Sequence, residues 1–129
     1  MSHRILIADD EPHIAELVRI CLEDSGVRVL EARDGEAALA IARRERPSVV
    51  LLDVMMPRVD GFEVCRRLKE DPLTRGIVVL MLTAGARPAD RERGILVGAQ
   101  GYLTKPFSPV ELASMLAENL SRLPLPESP

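Results

Sequence analysis

Three observations predict a doubly wound α/β fold, with a five-stranded parallel sheet covered by helices on both faces. Strand-length apolar runs alternate with helix-length amphipathic stretches. The first, third and fourth runs lack the alternation of a one-sided sheet, as expected of strands buried on both faces. Carboxylates stand where the first and third runs stop. At 129 residues the chain can bury one core but not two.

The first run, Ile5 to Ala8, is unbroken, and Asp9 and Asp10 end it. Pro12 suits a first helical turn, and Ile14, Leu17, Val18, Cys21 and Leu22 then fall on one helical face. Gly26 suits the end of that helix. The second run, Val27 to Leu30, is interrupted by charge and reads as an edge strand. Arg43, Arg44 and Arg46 follow as a solvated helix end, and Val49 to Leu52 forms the third run, ended by Asp53.

Asp60 with Glu63 reads as a capping box opening the third helix, and Gly76 suits its end. Ile77 to Leu82 is the fourth run, with Thr83 and Ala84 at its end. Gly98 suits the close of the fourth helix, and Tyr102 to Thr104 is a short fifth run followed by Lys105 and Pro106. Ser108, Pro109 and Glu111 open a last helix whose apolar face is Leu112, Ala113, Leu116 and Leu120. Residues 122–129, with three prolines and no apolar periodicity, read as a tail or a cut linker.

Composition narrows the function. Aromatics make up 2% of the chain, so the core is aliphatic and base stacking has few platforms. A net charge of −3 argues against direct nucleic-acid binding. No apolar stretch approaches the roughly 20 residues that span a bilayer, which makes a cytoplasmic location the expectation. Cys21 and Cys65 lack metal-site or redox spacing and are expected in the core, while His3 and His13 are expected at the surface.

Strict βα alternation over five strands favours the flavodoxin-like order 2-1-3-4-5, with right-handed crossovers. Strand order then reverses beside the first strand, so the ends of strands one and three are neighbours and Asp9, Asp10 and Asp53 converge. Clustered carboxylates suit Mg²⁺, a hard cation usually held by one or two carboxylates, waters and a phosphate. Asp53 stands alone at its strand end and is the candidate nucleophile, while Lys105 and Thr83 can meet phosphoryl oxygens. Ala84 leaves room for the group.

These residues resemble the response-regulator receiver domains of two-component signalling. The matching motifs are Asp9-Asp10 after Ile5-Leu6-Ile7-Ala8, Asp53-Val54-Met55-Met56-Pro57 with Asp60-Gly61, Thr83-Ala84, and Tyr102-Leu103-Thr104-Lys105-Pro106-Phe107. The resemblance covers residues 4–121 and implies a receiver domain over 1–121. It implies that Asp53 accepts phosphate from the phosphohistidine of a sensor histidine kinase or phosphotransfer protein. Asp10, Asp53 and the Met55 carbonyl would hold Mg²⁺, with Asp9 acting through water. Thr83 and Lys105 would bind the phosphoryl oxygens, and the Lys105–Pro106 bond is expected to be cis, an isomer that proline makes accessible. Tyr102 would follow Thr83 inward and change the surface of helix four, strand five and helix five, altering affinity for a downstream protein or effector domain.

Two departures qualify the resemblance. The positions that tune dephosphorylation in the family hold Met55 and Gly85, neither of which can orient a water, so slow self-hydrolysis is expected. Gln100, Gly101 and Met115 stand where the winged-helix branch usually carries the charges of its dimer, which favours a single-domain regulator or a receiver cut from a larger protein. An aspartyl-phosphate hydrolase is the enzyme rival, but its second Asp would fall at Met55. A receiver fold working without phosphorylation is the interaction rival, and the presence of all five key side chains weighs against it.

Overall fold

The computed structural model describes residues 3–22, 26–84 and 88–121. Five strands, β1 (Arg4–Ala8), β2 (Arg28–Ala32), β3 (Val49–Asp53), β4 (Val78–Thr83) and β5 (Gly101–Thr104), alternate with five helices. The helices are α1 (Pro12–Leu22), α2 (Gly35–Glu45), α3 (Gly61–Glu70), α4 (Pro88–Val97) and α5 (Pro109–Ser121). All strand pairs are parallel, in the order β2-β1-β3-β4-β5, the expected flavodoxin-like arrangement.

Alternate side chains of the central strands point to opposite faces and feed two cores. Leu6, Ala8, Val50, Leu52, Val79 and Met81 pack with Ala38, Leu39 and Ala42 of α2 and with Phe62, Val64, Cys65 and Leu68 of α3. Ile5, Ile7, Val49, Leu51, Leu80 and Leu82 pack with Ile14, Ala15 and Val18 of α1 and with Leu112 and Leu116 of α5. Every residue of β3 and β4 is buried, which explains the uninterrupted apolar runs.

Several local expectations need correction. The second strand starts at Arg28 and runs to Ala32, because register with β1 pairs Arg4 with Arg28 and Ala8 with Ala32; backbone pairing overrides the charges. Gly76 does not end α3, which stops at Glu70 with Asp71 as its C-cap. Gly26 and Gly98 do take positive φ, at 77° and 96°, but the left-handed cap of α2 is Arg46, at φ 45°. That position carries no glycine signal.

Capping also differs in detail. At α3 the Asp60 side chain accepts the Glu63 N–H, but the Glu63 carboxylate turns to Arg66 and Arg67, so the box is half formed. At α5 it is complete: Ser108 Oγ accepts from the Glu111 N–H and Glu111 Oε1 from the Ser108 N–H. Ala113 is exposed and Cys21 only half-buried, whereas Cys65 is buried as expected. His3 is half-buried, with Nδ1 2.6 Å from Ser48 Oγ; His13 is exposed. Among the described residues no helix is long and apolar enough to cross a membrane.

Candidate functional site

The carboxyl ends of β1, β3, β4 and β5 deliver Asp9, Asp53, Thr83 and Lys105 to one sheet edge. Asp9 follows the last residue of β1, Asp53 and Thr83 are the last residues of their strands, and Lys105 follows β5. Asp9, Asp53 and Thr83 are buried, whereas Asp10 is exposed at the rim. Gly61 permits the close approach of α3, because a Cβ there would lie 2.3 Å from the Asp53 carbonyl oxygen.

The Lys105 ammonium is the centre of the cluster. Its Nζ lies 2.7 Å from Asp9 Oδ2, 3.4 Å from Asp53 Oδ2 and 3.4 Å from Glu11 Oε1. Burial pulls the lysine pKa down, but contact with Asp9 and the charges of Asp53, Asp9 and Glu11 outweigh it, and the net shift is upward. The Lys105–Pro106 peptide is cis.

Asp53 is oriented by the Met55 N–H, which donates to Oδ1 at 3.1 Å. Its pKa is pushed up to about 6, first by burial and then by the Asp9 charge, against the Met55 hydrogen bond and the Lys105 charge. Asp9 Oδ1 accepts the Glu11 N–H at 2.9 Å. Among the described residues its buried Oδ2 accepts no hydrogen bond, and the lysine ion pair compensates it.

Asp9, Asp10, Glu11 and Asp53 can each offer an oxygen within 4.8 Å of the others'. An all-oxygen donor set with an under-satisfied buried carboxylate fits a hard divalent cation. Glu11 was missed by motif reading. It follows the Asp pair directly and reads as an ordinary helix-start acid, so only the fold brings it to the lysine.

Beside Asp53 a cleft of about 500 Å³ opens between β3, β4, α3 and α4, lined by Met55, Phe62, Thr83, Ala84 and Arg93. The Met55 side chain is 75% exposed at its mouth. Gly85 lies outside the described residues. Tyr102 lies on β5, paired in register with Met81 of β4, and its hydroxyl donates to the Asp90 carbonyl of α4.

Comparison with known proteins bears on what this edge belongs to. The family model for the response regulator receiver domain matches residues 5–117. The chain belongs to the response-regulator receiver family.

This receiver is 43% identical over 122 residues to the alkaline phosphatase synthesis transcriptional regulatory protein PhoP of Bacillus subtilis, covering 95% of this chain and 50% of that protein. It thus spans about half the length of the curated relatives it matches first. The chemotaxis protein CheY4 of Vibrio cholerae superposes with a TM-score of 0.86 at 36% identity, covering 92% of this chain and 98% of that one. The receiver domain of a sensor histidine kinase from Pseudomonas aeruginosa, solved with a magnesium ion in its active-site cleft, superposes with a TM-score of 0.84 at 30% identity. That match covers 94% of this chain and 99% of the other. Receivers of this family are signal transducers of two-component systems.

Gln100 and Gly101 have structural work in this receiver. Gln100 pairs with the start of β4, its Oε1 accepting the Val79 N–H and its N–H donating to the Val79 carbonyl. Gly101 opens β5, where a Cβ would press on Leu80.

Proposed function

We propose that this receiver accepts a phosphoryl group on Asp53 from the phosphohistidine of a sensor histidine kinase or a phosphotransfer protein, with Mg²⁺ assisting. The observation that carries the reading is the buried Asp53 carboxylate, 3.4 Å from the Lys105 ammonium and on the same sheet edge as Asp9 and Thr83. A pKa of about 6 leaves Asp53 ionised at neutral pH. Its oxygen attacks phosphorus, the P–N bond breaks, and the imidazole leaves with the bonding pair. Lys105 and the Thr83 hydroxyl stabilise the phosphoryl oxygens, which is most of what this reaction asks of a protein.

Asp10, Asp53 and the Met55 carbonyl would hold the metal, with Asp9 reaching it through water and Glu11 close by. When bound, the cation supplies charge neutralisation for the carboxylates and the incoming phosphoryl group. The receiver unit in this reading is residues 1–121, and 122–129 lie outside the described residues. Downstream, phosphorylation changes the surface formed by α4, β5 and α5 through Thr83 and Tyr102, and with it the affinity for a downstream protein or effector domain.

Intact mass after incubation with acetyl phosphate tests the core of the reading. One phosphoryl adduct is expected, dependent on Mg²⁺ and lost in Asp53→Ala; no adduct in the native chain would favour a phosphorylation-independent interaction module. The adduct should decay slowly. Met55 presents an exposed apolar side chain at the cleft mouth and cannot orient an attacking water. Decay as fast in the native chain as in Met55→Gln would overturn that part.

A further inference from the structure

Gly94 is the one buried residue of α4, and it stands in mid-helix, where glycine is the poorest helix former after proline. What covers it is the Tyr102 phenol. A Cβ built on Gly94 would lie 1.9 Å from the Tyr102 hydroxyl oxygen, 2.6 Å from Cζ and 2.8 Å from Cε2. A methyl group and the ring cannot share that volume.

The hydroxyl is also bonded into the helix. It donates to the Asp90 carbonyl, the group that faces the Gly94 N–H one helical turn on. Burial raises the phenol pKa, while hydrogen bonding from the Gly94 backbone opposes the rise. The side chain therefore meets α4 at one step of its backbone ladder.

We propose that Gly94 is a socket that docks the Tyr102 phenol on α4, so that the β5 aromatic is held to the helix until it leaves the socket. Resting on the functional reading above, the socket adds a regulatory element to it. Inward movement of Tyr102 toward Thr83 must first break the Asp90 bond and empty the groove at Gly94, and α4 loses that support when it does. A second contact of α4 toward the site is Arg93, whose guanidinium stacks over Phe62 at 4.3 Å and lies 3.8 Å from Asp60. Charge change at Asp53 thus acts on α4 through an aromatic latch.

Tyr102 is the only tyrosine in a chain without tryptophan, so intrinsic fluorescence reports this contact alone. Gly94→Ala should raise acrylamide quenching of that fluorescence toward the value for free tyrosine and lower the urea midpoint. In a Tyr102→Ala background the same substitution should instead raise the folding equilibrium constant about fivefold, the helix preference for alanine over glycine. If Gly94→Ala alone fails to fold, folding should return in the double variant. The same sign in both backgrounds, or quenching unchanged by Gly94→Ala, overturns the socket.

No phosphodonor enters those measurements, so a missing adduct on Asp53 would sink the functional reading without touching them. With acetyl phosphate and Mg²⁺, quenching in the native chain should change as the adduct forms. An adduct seen by mass with quenching unaltered would overturn the coupling of the latch to the site.

Discussion

Asp53 shows how a single position sets reactivity against stability. Its folded pKa of about 6 lies above the roughly 3.9 of an unfolded aspartate, so between those values the folded state binds the extra proton. Stability without metal therefore falls as pH rises from about 4 to about 6 and stays lower above that range. Asp53→Asn removes the charge and should stabilise the metal-free protein at pH 7.5 by about 2 kcal/mol, allowing for the partner lost to Lys105. The gain should shrink toward zero near pH 4. Urea unfolding in EDTA at the two pH values checks it, and equal effects at both would contradict the burial argument.

Helix ends govern the next scale. The α2 helix begins at Asp34, whose side chain accepts the Ala37 N–H at 2.8 Å, and ends at Arg46 in the left-handed region. Opposite substitutions at the two ends should act with opposite sign. Asp34→Ala should cost about 1 kcal/mol through the lost cap. Arg46→Gly should gain about 1 kcal/mol, since a side chain in the left-handed conformation carries a penalty that glycine avoids. Thermal unfolding of both variants reads the signs. Arg46 also shows why this cap was invisible in the sequence: the αL position is imposed by the turn into Pro47 and Ser48, whose N–H donates to the Arg4 carbonyl, and not by a glycine.

For the whole molecule, stability is distributed unevenly. The strands β1, β3 and β4 are the centre of the sheet and feed both cores, whereas α4 buries only Gly94 and leaves Ile95 and Leu96 exposed. Amide hydrogen exchange should therefore be slowest in the central strands and faster in α4 than in α3, which buries five residues. Protection of α4 equal to that of α3 would show a helix held more firmly than its packing accounts for. A weakly anchored helix beside a charged sheet edge is also what a two-state output surface requires, because a switch works only where the competing arrangements are close in free energy.

The sequence by itself determined the element order, the sheet class and the five side chains at the strand ends. Apolar runs and helical periodicity come from burial against two layers, and burial leaves its pattern in composition whatever the partner. Asp9, Asp10, Asp53, Thr83 and Lys105 were legible because they punctuate those runs. The tertiary structure alone decided the start of β2, the cap at Arg46, the recruitment of Glu11 to Lys105, and the fit of Tyr102 into Gly94. Each of these depends on register or on the approach of residues distant in sequence. A one-dimensional pattern records which residues are buried and is silent on what they are buried against.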